Sequence, residues 1–187
     1  VNTKQMLKYH SGFIVKHWRK VNDLWQMLWE EPFGLDRNIL HDTGEIAILS
    51  AFFATAMSLY GAPPANLYLG LDKRAALAEA DTLATLDELV KSGYERKAVI
   101  SGGTGLEGQD FYINQPAAYY RADSKTVTWT AGEDWVTAVK NIFVCTDITA
   151  AEDGDGDHLV CSLPLSADRL LLSGDKLEGS MFIGLSE

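Results

Sequence analysis

Asn141-Ile-Phe-Val-Cys-Thr, an acidic Asp153-Gly-Asp-Gly-Asp turn, His158-Leu-Val-Cys-Ser-Leu-Pro-Leu-Ser and Arg169-Leu-Leu-Leu-Ser-Gly-Asp-Lys-Leu follow one another toward the C-terminal end of the chain. Short apolar runs separated by glycine-aspartate turns read as antiparallel strands, and Gly174-Asp175 suits a tight hairpin turn. Outward from this stretch, Met181-Phe-Ile-Gly-Leu supplies a closing strand, and Trp135 to Val144 leads into the hairpin. Thr126-Val-Thr-Trp-Thr alternates as a half-buried strand should. Leu67-Tyr-Leu-Gly-Leu and Gly93-Tyr-Glu-Arg-Lys-Ala-Val-Ile add two more strands. Asp72 to Lys91 carries both helix and strand formers, and Gly102 to Gly108 reads as a glycine-rich loop. Six to eight short strands over residues 63–187 predict a β-sandwich of jelly-roll-like form.

The N-terminal part reads differently. Ile14, Trp18, Val21, Trp25 and Leu28 fall at alternating spacings of four and three, the stripe of an amphipathic helix, which Pro32 and Gly34 would end. Trp29 joins Trp18 and Trp25 in a large apolar face. A second helix is expected from near Thr43, with Asp42 and Glu45 in capping-box spacing. It would run through the apolar stretch Ile46 to Tyr60 and stop at Gly61, before Pro63-Pro64. The expected class is therefore α+β, with a helical docking or packing segment over 1–62 and a sandwich domain over 63–187. An aromatic face of this size must be covered, by its own domain or by a neighbour. Ile14, Trp18, Val21, Trp25, Leu28 and Trp29 are accordingly the candidate assembly surface.

Composition narrows the function classes. With 187 residues and 47% hydrophobic content, one domain with an ample core is expected. A net charge of −10 argues against nucleic-acid binding, which draws on Lys and Arg facing phosphates, and against anionic membranes. The apolar stretch Ile46 to Tyr60 is too short to span a bilayer, and the first residues carry no secretory pattern. Cys145 and Cys161 lie symmetrically about Asp153, so they read as two buried thiols or as a cross-strand bridge.

Leu67-Tyr-Leu-Gly-Leu, Thr82-Leu-Ala-Thr-Leu, Ser92-Gly-Tyr-Glu-Arg-Lys-Ala-Val, Val127-Thr-Trp-Thr-Ala, Trp135 through Cys145 and Arg169 to Leu177 share a wider pattern. In order and spacing they resemble small β-sandwich, tail-fibre-like or minor virion proteins of tailed bacteriophages, from about Leu67 to the C-terminal end. The resemblance implies a non-enzymatic virion component assembled in the host cytoplasm. Its partners would be other phage virion proteins and further copies of itself. Folding reasons exist for several of these residues. Gly93 supplies a backbone conformation that other residues resist, and Tyr94 buries its ring while keeping its hydroxyl bonded.

No catalytic or cofactor motif emerges. Asp153-Gly-Asp-Gly-Asp opens like a calcium loop, but His158 stands where glycine is needed and Pro164 where glutamate is needed. A looser calcium site on Asp153, Asp155 and Asp157 competes with a solvated hairpin tip. Gly102-Gly-Thr-Gly-Leu-Glu-Gly lacks the Lys-Ser/Thr ending and the helix of a phosphate loop. His41-Asp42 has no second histidine at ligand spacing. Tyr112, Asn114, Gln115, Tyr119, Tyr120 and Arg121 bring rings, amides and a cation together, the chemistry of a sugar platform. They are the candidate receptor contact, toward a host-surface glycan, unless the tyrosines simply pack the sandwich edge.

Overall fold

The computed structural model describes residues 8–32, 38–45, 66–100, 110–115, 120–147 and 158–186. These form strands β1 (Lys8–Val21), β2 (Leu24–Glu30), β3 (Ile39–Leu40), β4 (Asn66–Asp72), β5 (Lys97–Ile100), β6 (Phe111–Asn114), β7 (Tyr120–Ser124), β8 (Val127–Thr130), β9 (Trp135–Cys145), β10 (Leu159–Leu171) and β11 (Lys176–Ser186). One sheet runs β2-β1-β11-β7-β6, with β8 also pairing β11, and the other runs β3-β10-β9-β4-β5. Every pairing is antiparallel. The two sheets share one core, in which Phe13, Val15, Trp129, Leu177 and Met181 from the first meet Leu69, Leu71, Ile142, Val144 and Leu163 from the second. This is the face-to-face packing of a β-sandwich. Several strands are far longer than the short ones expected: β1 has 14 residues and β10 has 13.

The helix expected over Ile14 to Leu28 does not form; those residues are β1 and β2 of a hairpin. Asn22 and Asp23 sit at φ +50° and +62°, the paired left-handed conformations of a two-residue turn whose twist matches its strands. Within β1, Phe13, Val15 and His17 are buried while Ile14, Lys16 and Trp18 face outward, a period of two. The four-three stripe and this alternation share too few residues to be told apart without the turn. β1 also lies inside its sheet, zipped to β11 from Lys8↔Ser186 to Trp18↔Lys176. The N-terminal part therefore adds strands, and the α+β expectation gives way to an antiparallel β architecture. A helical turn does occur at Asp42–Glu45, where the Glu45 amide bonds the His41 carbonyl at 3.0 Å. The expected continuation through Ile46 to Tyr60 lies outside the described residues, as do Gly102 to Gly108 and the Asp153 turn.

The segment after β4 is mostly irregular, with one 3₁₀ turn at Leu83–Thr85. Leu83 and Leu86 cover Phe143, Cys145 and Leu159 on the face of the second sheet that points away from the sandwich core. Asp72, fully buried at the end of β4, anchors this segment by accepting the Arg74 amide at 2.8 Å and the Asp87 amide at 2.6 Å. Arg96 clamps Glu88 through Nε and Nη2, and Tyr94 donates its hydroxyl to the same carboxylate while accepting the Leu71 amide. Tyr94 thus packs a half-buried ring against the core and keeps its hydroxyl paired, close to the reading from sequence.

Four connections cross between the sheets, β2 to β3, β5 to β6, β8 to β9 and β10 to β11, the last two lying wholly among the described residues. The Gly174-Asp175 turn is one of them, so it joins the two sheets instead of closing a hairpin. The corners are bonded to each other: the Ala131 amide donates to the Asp175 carbonyl at 2.9 Å, and the Gly174 amide to the Ala131 carbonyl at 2.7 Å. Cys145 pairs with Leu159 and Cys161 with Val144, which puts the two thiols on opposite faces of the sheet. Both are free and buried, so the cross-strand bridge is absent.

Candidate assembly surface

β2 forms the outer strand of its sheet and, among the described residues, pairs with β1 alone. Its burial pattern is that of a strand open on both faces: six of its seven residues are exposed, and only Trp29 is half-buried. The sequence Leu-Trp-Gln-Met-Leu-Trp-Glu holds one charge, Glu30 at its end. Leu24 is 70% exposed, and Trp25, Met27 and Leu28 are exposed beside it. Outer strands usually carry lysine, proline or a strong twist that discourages pairing. Here the one irregularity is a bulge that leaves Leu28 unpaired between Met27↔Trp18 and Trp29↔His17.

The structure divides the six candidate assembly residues. Ile14, Trp18 and Trp25 share the outer face of the first sheet, because Trp25 pairs with Lys20 and Ile14, Trp18 and Lys20 lie at even spacing. Trp18 is tied down there by an Nε1–H bond to Glu178 at 2.8 Å. Trp29, opposite His17, turns inward onto the core under the Arg169 guanidinium, 4.4 Å from its ring centre. Val21 pairs with Leu24 beside the turn, and Leu28 is the bulge residue. The sequence reading missed Leu24 and Met27, which alternation about the Asn22-Asp23 turn would have exposed.

An ion cluster anchors the hairpin to the sheet corner. Asp175 is 2% exposed and accepts Arg19 Nε at 2.8 Å, Arg19 Nη2 at 2.6 Å and the Leu172 amide at 2.9 Å. His17 Nε2 lies 3.1 Å from the same carboxylate and, facing an acceptor, donates its proton to it. Burial alone would push the Asp175 pKa up, but Arg19, the Leu172 amide and His17 together hold it below the usual carboxylate value. Burial lowers the pKa of His17 despite Asp175, keeping the ring neutral at pH 7.

No family model, curated protein or solved structure matches this chain.

The candidate receptor contact is only partly assembled. Tyr112, Asn114 and Arg121 fall on one face of β6 and β7 through the pairs Tyr112↔Asp123 and Asn114↔Arg121. Asp123 already takes the Asn114 amide and Arg121 Nε, and the Arg121 guanidinium lies 4.7 Å from the Phe182 ring centre. Tyr120 belongs to the other face, Gln115 is exposed beyond β6, and Tyr119 lies outside the described residues.

One arrangement suggests chemistry at first sight. His41 Nε2 sits 2.9 Å from Ser162 Oγ, half of a nucleophilic constellation, but its Nδ1 meets the Glu79 carbonyl at 3.2 Å, with no carboxylate there. Both side chains are fully buried, so no substrate reaches them. Among the described residues no group of three or more His, Cys, Asp or Glu side chains is placed to hold a metal ion. No helix among them is long and apolar enough to cross a membrane.

Proposed function

We propose that this protein is a non-enzymatic assembly component whose outer strand β2 pairs antiparallel with β2 of a second copy. The observation that carries this reading is the exposure of Leu24, Trp25, Met27 and Leu28 on a strand with one free side. An added strand satisfies the free backbone donors and acceptors of β2 and sets its own side chains beside the exposed apolar ones. A two-fold arrangement of this kind is self-complementary.

The sequence resemblance to tail-fibre-like and minor virion proteins supports placing such an assembly in a tailed-phage particle, among other virion proteins. The four crossings between sheets favour a jelly-roll-like winding, although the β9–β10 hairpin stays within one sheet. A glycan-binding receptor module is the second reading, favoured by the shared face of Tyr112, Asn114 and Arg121. Arg121 and Asn114 are already engaged by Asp123, which leaves that face fewer groups for a sugar.

Light scattering of the chain and of a Met27→Lys/Leu28→Lys variant tests the proposal. A defined multiple of 20.6 kDa that falls to 20.6 kDa in the folded variant supports it. A wild-type mass of 20.6 kDa throughout the micromolar range overturns it.

A further inference from the structure

Beside the hairpin, a cleft of about 540 Å³ opens between β2 and the β10–β11 corner, lined by Arg19, Lys20, Trp25, Thr130, Ser173 and Lys176 among others. We infer that this cleft is a binding site for an acidic saccharide, with Trp25 as the ring platform and Lys20 and Lys176 as the carboxylate contacts. The inference does not depend on the pairing of β2, because adding a strand at the edge leaves the faces of the sheet open.

Charge is the first argument. The chain carries −10 overall, yet the cleft presents three cations and one carboxylate, Asp175. That carboxylate is buried and already accepts bonds from Arg19, His17 and the Leu172 amide. Among the described residues Lys20 is matched only by Asp23, whose side chain is 93% exposed. Lys176 has no carboxylate partner among the described residues; its ammonium lies 4.0 Å from the centre of the Trp25 ring. The accessible charge in the cleft is therefore positive, against the sign of the molecule.

The second argument is the aromatic wall. Trp25 is 42% exposed, with the Lys176 ammonium over one face of its indole, so a ligand ring would stack on the exposed remainder. A ligand that combines an apolar ring face with a carboxylate would engage both, the C–H face of a pyranose against the indole and the acid group on the lysines. Hydroxyl groups have partners in the exposed Thr130 and Ser173. Gly174 adds room, since nothing lies within 4 Å of where a Cβ would stand. A bare inorganic anion would use the lysines and leave the indole idle, and a neutral sugar would do the reverse.

Titration of the full chain with a glucuronate-containing oligosaccharide, followed by tryptophan fluorescence and calorimetry, tests the assignment. A glucose oligomer of equal length and sodium acetate serve as controls. The expected result is saturable binding of the acidic oligosaccharide, weakened roughly tenfold by Lys176→Gln or by Trp25→Ala. Lys176→Gln is the decisive variant should Trp25→Ala disturb the hairpin. Equal binding of the neutral oligomer, full competition by acetate at matched concentration, or no binding of the acidic oligosaccharide would each overturn the inference.

Discussion

Arg19 and Asp175, 156 residues apart, close a two-pronged ion pair in which Arg19 Nε and Nη2 grip the carboxylate at 2.8 and 2.6 Å. The pair fastens the end of β1 to the turn where the chain passes from one sheet to the other. His17 and the Leu172 amide complete the shell, so a single buried carboxylate holds strand, turn and corner together. Replacing Asp175 with alanine leaves two cationic or polar donors and one amide unmatched in a buried place. The expected loss is about 3 kcal/mol, read from denaturant unfolding. Asp175→Asn retains acceptor geometry on one oxygen and should lose less.

The same cluster makes stability depend on pH. His17 and His41 both have pKa values lowered below 6.5, in each case chiefly by burial. A group whose folded pKa is depressed contributes stability that is present above its unfolded value and lost as pH falls through the folded one. The melting temperature should therefore hold above pH 6.5 and decline below it. Asp175, depressed below 3.8, adds a further loss in stronger acid. Substituting His17 with glutamine should flatten the first decline; an unchanged slope would assign it elsewhere.

Two glycines share φ +87° and should respond differently to alanine. At Gly93 a Cβ would stand 1.9 Å from the Thr130 carbonyl oxygen, a backbone atom held by the sheet. Gly93→Ala combines left-handed strain with this clash and should destabilise by roughly 3 kcal/mol or more. Gly174→Ala meets nothing and should cost only about 1 kcal/mol. Thermal melts of the two variants make the comparison.

How much of this was legible in the residues depended on whether the deciding contact was local. The strands around Thr126-Val-Thr-Trp-Thr and Asn141 to Cys145 carry their own alternation or apolar run, so β8 and β9 were readable. Gly93 and Tyr94 announced their roles because each role follows from the residue type. The N-terminal hairpin misled because Trp and Val at four-three spacing satisfy a helix as well, while Asn22-Asp23 is a weaker turn signal than Asn-Gly. Asp175 was read as a hairpin residue because nothing in its neighbourhood reveals a partner 156 positions away. The six assembly candidates were read onto a helix; they lie on β1 and β2, where Leu24 and Met27 are exposed beside Trp25 and Leu28.

Both thiols are expected to be inert in the folded protein. Burial raises the pKa of Cys145 and of Cys161 to about 12, so little thiolate forms at pH 8. A thiol reagent should modify neither in native buffer and both in denaturant, with no reductant needed. Rapid native labelling of either would contradict the packing described for its face of the sheet.

The outward side of β2 carries the account, and amide hydrogen exchange along Leu24–Glu30 at low and high protein concentration tests it most directly. Self-pairing predicts that amides pointing away from β1 exchange freely in dilute solution and gain protection as concentration rises, in step with the solution mass. An increase in mass with those amides still exchanging freely would place the contact on another surface and contradict the proposal.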